Sequence, residues 1–440
     1  QLWPDLSRSA SAQLPLPARN SLAGAMRFRS ALTTLAAAGS AALALASGDR
    51  PAWKLACPST MDADQLLADV DLSGKVFVVT GDGHIASAVD LALARRNATV
   101  VLGCRKPAGC ASLKAQVESE AGAGRVETGT LDLSSREIIR SFAADVARRH
   151  AHVDGLVNMA AIDSTHVSHD GFVLTMEVNL LGPAYLADLL LPRLRASAAF
   201  PQPGRVVNVG AEVAGSHPIP ANATVDTLAA WCTHVDTALN ATGAYGAASK
   251  LLMIHHAVEL GQREKGSVAA FAVNPGYSLE FQPAPQWLLY KILKLPESVL
   301  KWAYAHAGTG VLAYILRMKK ACETNFKGLG RCPEPYNAAA AVVVAAAAAP
   351  GIEGWSGSWL DFDARPLPQS APQIFGPYEL HEPNCVPRTP PPMEAGLRAA
   401  WFDRMLAMMK GNRSAGGAAW PQAAPSSEAG AGLGPSAIVI

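Results

Sequence analysis

The chain has 440 residues, half of them hydrophobic and 17% charged, which is ample for one large core with appendages and does not demand two domains. A formal net charge of +1 gives no electrostatic footing for nucleic acid or for an anionic membrane. Ala-rich tracts and 31 prolines suggest loose ends around a compact centre, and no internal repeat stands out.

The chain starts at Gln1, and residues 1–25 read as a gene-model extension or a disordered leader. Met26-Arg27-Phe28-Arg29 is a basic n-region, and Ala31 to Ala46 is an apolar stretch too short to span a bilayer comfortably. Ala44, Ala46 and Ser47 offer small residues for cleavage. Residues 26–48 are therefore expected to be a signal peptide for the secretory pathway, with the ER lumen or a membrane surface as destination. A plastid transit peptide is the alternative. Residues 49–70 read as a linker.

Lys75 to Thr80 is a buried β-branched run that ends in Gly81-Asp82-Gly83-His84 and opens into an Ala/Leu-rich helix from Ser87 to Arg96. A second apolar run, Thr99 to Leu102, ends at Gly103-Cys104-Arg105. This βαβ unit suits a dinucleotide, because a glycine turn and a helix N-terminus favour a diphosphate. Arg125 to Thr130 reads as a strand, and Ser134 or Ser135 caps the helix that runs to His150. Val153 to Asn158 is a buried strand. Gly171 to Ala196 is helical, with a bend or break at Pro183. Strand 204–209, helix 244–262, strand 268–273, helix 337–348 and strand 356–362 complete the alternation. The rhythm predicts an α/β fold: a Rossmann-like, doubly wound parallel sheet in three αβα layers.

Residues 281–335 fall outside the rhythm and read as a helical lid on the substrate side of the sheet. Trp287-Leu288-Leu289-Tyr290 and Trp302 are expected to be lid core, and segment 287–316 also suits peripheral contact with a membrane. The domain is expected over 71–411, with a disordered tail at 412–440. Of seven cysteines, Cys322 and Cys332 bracket a polar loop, and a disulfide between them weighs equally against free thiols. His255-His256 reads as one surface and one core residue, and no metal site is expected. Asn97, Asn222, Asn240 and Asn412 begin glycosylation sequons.

The ordered set Asp71-Leu72-Ser73-Gly74-Lys75, Gly103-Cys104-Arg105, Asp132-Leu133, Val178-Asn179, Asn274-Pro275-Gly276 and Ser356-Gly357-Ser358-Trp359-Leu360 resembles the short-chain dehydrogenases/reductases. The resemblance is closest to the retinol-dehydrogenase-like branch and covers roughly 71–409. It implies a nicotinamide cofactor cradled by Gly81, Gly83, His84 and Ile85, with Asp132 by the adenine and Asn158, Pro275 and Gly276 around the rest. Arg105 follows the second strand where an acidic residue would favour NAD, so NADP is expected over NAD.

The same resemblance implies a catalytic Tyr activated by a Lys, with a supporting Ser and Asn. Asn179 fits the Asn, Lys250 fits the Lys and also the cofactor ribose, and Tyr245 stands for the Tyr. Ala211 occupies the Ser position without a hydroxyl. Tyr245 and Lys250 are five residues apart rather than four, and on a regular helix that separates them by roughly 140°. A π-bulge between them would restore the pairing. A regular helix would instead put Gly246 at the Tyr position. The glycine turn is also one residue short, with His84 and Ala86 in its later half.

The expected function is an NADP-dependent oxidoreductase that moves hydride between the cofactor and a carbonyl or alcohol of a small apolar substrate, lipid-like or retinoid-like. The alternative is a catalytically impaired relative that binds nucleotide or serves as a scaffold. A homodimer through the fourth and fifth helices is implied by the family, and no nucleic-acid partner is expected.

Overall fold

The computed structural model describes residues 63–197, 203–211, 214, 218–236, 239, 244–275, 335–360 and 393–411. Their elements are α1 (Ala63–Leu66), β1 (Val76–Thr80), α2 (His84–Arg95), β2 (Thr99–Cys104), α3 (Pro107–Ala121), β3 (Val126–Thr130), α4 (Arg136–Arg149), β4 (Gly155–Asn158) and α5 (Leu174–Arg195). They continue with β5 (Gly204–Val209), α6 (Val225–Thr233), α7 (Tyr245–Arg263), β6 (Val268–Val273), α8 (Pro335–Ala348), β7 (Ser358–Leu360) and α9 (Ala395–Met409). The signal peptide, the lid, the Cys322/Cys332 pair and the tail lie outside the described residues.

The strands form one parallel sheet in the order β3-β2-β1-β4-β5-β6-β7. Every residue of β1, β4, β5 and β6 is buried, as expected for strands with helices on both faces. β3, at the edge, is buried only at Val126 and then alternates between half-buried and exposed residues. Strand order reverses between β1 and β4, so a crevice opens at their carboxyl ends. Strands 204–209 and 268–273 stand at their expected residues. β2 runs on to Cys104, and α2 starts at His84 rather than Ser87. Neither α6 nor α9 was anticipated.

The expected bend or break at Pro183 takes the form of a continuous helix distorted by a π-turn at Glu177–Leu181. Proline has no N–H for the carbonyl four residues back, Asn179, and widening the turn accommodates that loss. Helix α5 has the length and hydropathy to cross a membrane, but 78% of its most apolar window is buried within this fold, as in a core helix.

Helix α9 covers the outer face of α5 and α7. Trp401, Phe402, Met405, Met408 and Met409 are all buried there. Phe402 stacks on His256 with centroids 5.2 Å apart, Lys410 pairs with Asp188 at 2.8 Å, and Arg263 pairs with Asp403 at 2.6 Å. This corrects the reading of His255-His256, because the sheet lies on one side of α7 and α9 on the other, so both rings are buried. Helix α9 thus covers part of the two helices expected to form a homodimer.

Glu177 begins the π-turn fully buried, with no counter-charge in hydrogen-bond contact and Ser168 near enough to offset part of its burial. Burial pushes its carboxyl up from 4.5 to about 8. The folded state therefore binds a proton that the unfolded state releases between those values, so this group's contribution to stability is full below about pH 4.5 and is lost as pH rises toward 8. The steepest loss is roughly 1.4 kcal/mol per pH unit. Glu177→Gln should remove this slope and raise stability at pH 7. Urea unfolding at several pH values checks it, and an unchanged slope would contradict the assignment.

Candidate active site

At the carboxyl end of β1 the chain turns on Gly81, whose φ of +97° lies in the region that side chains rarely adopt. A Cβ there would come within 3.2 Å of the Ala160 backbone. The buried Thr80 hydroxyl accepts hydrogen bonds from the N–H groups of Met159 and Ala160, at 3.0 and 3.2 Å. Thus the glycine turn and the loop after β4 close on each other at the switch point. Gly83 then caps α2 in extended conformation with no side-chain bond. The first backbone N–H groups of α2 are not capped by a side chain, and its first turn carries no acidic residue. His84, at the first helical position, is exposed, while Ile85 and Ala86 pack into the core.

Arg105 and Lys106 are exposed directly after β2. Their loop is closed by a disulfide between Cys104 and Cys110, which the sequence reading missed. The only signal was two cysteines six residues apart, across a strand end and a helix start. Asp132 is committed locally. Its Oδ1 accepts from the Ser134 N–H at 2.9 Å and the Ser134 hydroxyl at 2.6 Å, while Ser135 caps α4. Asn158 also turns its side chain into the sheet, donating to Asn208 Oδ1 at 2.9 Å. Any cofactor contact from Asn158 therefore falls to its main chain at the end of β4. Pro275 is buried beyond β6, and Gly276 lies outside the described residues.

Asn179 organises the space between the loop after β4 and α7. The π-turn directs its carboxamide so that Oδ1 accepts from Ile162 N–H at 2.8 Å. Its Nδ2 donates to Ile162 O at 2.9 Å and to Ser249 Oγ at 3.1 Å. Ser249 in turn donates to Gly246 O at 2.8 Å. Lys250 is buried on α7 and its ammonium donates to Val209 O, at the carboxyl end of β5, at 2.7 Å. Burial lowers its pKa from 10.5 to about 8, so it remains cationic at neutral pH. Ala211 is buried and offers no hydroxyl.

Tyr245 does not join them. Helix α7 is regular from Tyr245 to Arg263, so the π-bulge that would restore the pairing is not there. The Tyr245 hydroxyl donates to His234 O at 3.1 Å and accepts from the Asp236 N–H at 2.5 Å, just beyond the end of α6. Burial raises its pKa above the ordinary tyrosine value, and the Asp236 charge adds to the rise. That is the opposite of what an acid/base near neutrality needs. Gly246 stands four residues before Lys250, on nearly the same helix face. A Cβ on Gly246 would meet no heavy atom within 4 Å.

Comparison with known proteins follows the same lines. A family model for the short chain dehydrogenases matches residues 75–224. The chain is 34% identical over 231 residues to retinol dehydrogenase 13 of Mus musculus, covering 50% of this chain and 61% of that protein. It is 32% identical over 252 residues to retinol dehydrogenase 12 of Bos taurus, covering 55% and 74%. Dehydrogenase/reductase SDR family member 13 of Bos taurus is 32% identical over 222 residues, covering 49% and 56%. The chain thus spans less than two thirds of the length of two of these relatives.

The geometry of α7 separates two glycine substitutions. Gly246→Ala adds a Cβ that meets no heavy atom within 4 Å and should change stability by less than about 1 kcal/mol. Gly261→Ala puts a Cβ within 2.5 Å of the Gly357 nitrogen. It should cost about 1–3 kcal/mol as overpacking. Thermal unfolding of both variants checks this, and equal losses would contradict an open face at Gly246.

Proposed function

This chain belongs to the short-chain dehydrogenase/reductase family, and we propose that it binds NADP and moves hydride between that cofactor and a carbonyl or alcohol of an apolar, lipid-like or retinoid-like substrate. The observation that carries the reading is the cradle at β1, where Gly81 turns within reach of Ala160 and the N-terminus of α2 carries no side-chain cap. A diphosphate suits such a place for two reasons: Gly81 lets the turn close against Ala160 where a Cβ would crowd that backbone, and the N–H groups of α2 carry partial positive charge. Arg105 supports NADP over NAD, since its planar fork suits a ribose 2′-phosphate and no carboxylate follows β2 to prefer a 2′-hydroxyl. The apolar alcohol or carbonyl substrate is supported by two relatives bearing the name retinol dehydrogenase.

When bound, the nicotinamide supplies the hydride. Lys250 holds positive charge at the carboxyl end of β5, where it favours a developing alkoxide. Asn179 fixes the loop after β4 against α7 and keeps that charge in place. Proton transfer is the weak step. Tyr245 can reach the cleft only by breaking both hydrogen bonds of its hydroxyl, at about 1 kcal/mol each. A cost near 2 kcal/mol lowers the competent population roughly thirtyfold, which slows turnover without abolishing it. The position of Tyr245 also favours a second reading, a nucleotide-binding relative with impaired chemistry. A secretory or membrane-associated location belongs to the main proposal, and the Cys104–Cys110 disulfide fits an oxidising compartment.

Fluorescence titration with NADPH and NADH, followed by turnover on a panel of apolar aldehydes and ketones, tests the proposal. The expected result is NADPH binding with slow reduction, raised at least about tenfold by Gly246→Tyr and lowered at least about tenfold by Tyr245→Phe, which removes the only hydroxyl assigned to the proton. Failure to bind either dinucleotide would overturn the proposal. Binding without turnover, in the wild-type chain and in Gly246→Tyr alike, would establish the second reading.

A further inference from the structure

The segment between β2 and α3 carries more constraint than its exposed residues require. Cys104 is the last residue of β2 and Cys110 lies in the first turn of α3, both buried and joined by the disulfide. The ring they close contains Arg105, Lys106, Pro107, Ala108 and Gly109. It also touches the glycine turn. A Cβ on Gly109 would lie 2.7 Å from Asp82 Oδ2, so the loop sits directly on the carboxylate beside Gly81. The cross-link fixes where α3 starts and so helps set this close approach.

From this juxtaposition we infer that Cys104 and Cys110 are positioning residues for 2′-phosphate recognition, so that selectivity for a phosphorylated dinucleotide depends on the oxidation state of this pair. The inference rests on the functional reading above. Oxidised, the ring fixes the two cations beside β2 and holds Asp82 in one place against Gly109. Opened, α3 loses its covalent tie to β2. Arg105 and Lys106 gain freedom, and the Asp82 carboxylate is released toward the same space. A dinucleotide without the 2′-phosphate needs neither cation and is indifferent to the change.

The chemistry is a thiol–disulfide exchange with a small or protein dithiol as reductant. One thiolate of the dithiol attacks a ring sulfur, the Cys104–Cys110 bond breaks, and the second thiol of the reductant completes its own disulfide. Two electrons and two protons pass from the dithiol to Cys104 and Cys110, which end as thiols. Because both sulfurs are buried, exchange requires the first turn of α3 to open.

The test uses the full chain, air-oxidised, reduced with dithiothreitol, and as Cys110→Ser and Cys104→Ser/Cys110→Ser. Alkylation with mass detection first reads the pair without any nucleotide. Cys104 and Cys110 should be protected in the oxidised chain and labelled after reduction and unfolding. Titration then reads NADPH and NADH on each form. The expected result is NADPH binding weakened roughly tenfold by reduction or substitution, the size of one lost charge-assisted contact, with NADH changed less than about twofold. Reduction needs no substitution, so it stands even where a serine variant folds poorly. Free thiols in the air-oxidised chain would overturn the inference. So would equal weakening of both dinucleotides, which marks a purely structural bond, or no change in either. If the oxidised chain binds neither dinucleotide, the functional reading falls and this inference falls with it. Loss of redox dependence alone leaves that reading standing.

Discussion

The carboxamide of Asn179 ties together three separate parts of the chain. It stands on a π-turn of α5, grips both main-chain groups of Ile162 beyond β4, and donates to Ser249 on α7. The bond to Ser249 sets how α7 is rotated about its axis. Lys250, the next residue, then reaches Val209 at the end of β5, and this second bond holds the same rotation. With α7 regular and pinned at both residues, the extra residue between Tyr245 and Lys250 has to show at the tyrosine. The phenol swings toward the end of α6 and is held there by His234 and Asp236.

The two ends of the cleft are therefore built to different standards. At the nucleotide end each departure from the family pattern is mild. Gly81 keeps its left-handed turn, Thr80 bridges to the loop after β4, and His84 stands exposed rather than packed into the core. Around Asn179 and Lys250, charge and amide are in place while the Tyr245 hydroxyl is turned away. A hydroxyl that must break two hydrogen bonds before acting is a modest handicap beside the far larger barrier reductions that catalysis provides. This difference in scale leaves the oxidoreductase reading ahead, with slow turnover as its consequence.

Much of the fold was legible in the sequence because its signals are local. Fully buried strands read as apolar runs, Ser135 announces its helix, and Gly81 marks the turn that a side chain would obstruct. What was not legible depends on residues far apart in the chain. Helix α9 finds its place through Phe402 on His256 and Met405 in the core, contacts that no periodicity within 395–409 reveals. The same contacts bury both His255 and His256, which spacing alone had split between surface and core. The spacing of Tyr245 and Lys250 left two geometries open, and the choice between them rests on Asn179 and Ser249, a bond across 70 positions. The Cys104–Cys110 bond was missed because only the meeting of β2 with α3 brings the two sulfurs together.

The rotation of α7 is most directly read from the ionisation of one phenol. Carbon-13 tyrosine labelling, with Tyr245→Phe to assign the resonance, follows the Tyr245 ring from neutral to alkaline pH. The account requires it to ionise above the ordinary tyrosine value, and to do so unchanged in Lys250→Met, because phenol and ammonium occupy different faces. Ionisation near neutrality, rising when Lys250 is removed, would put the two side chains together and contradict the account.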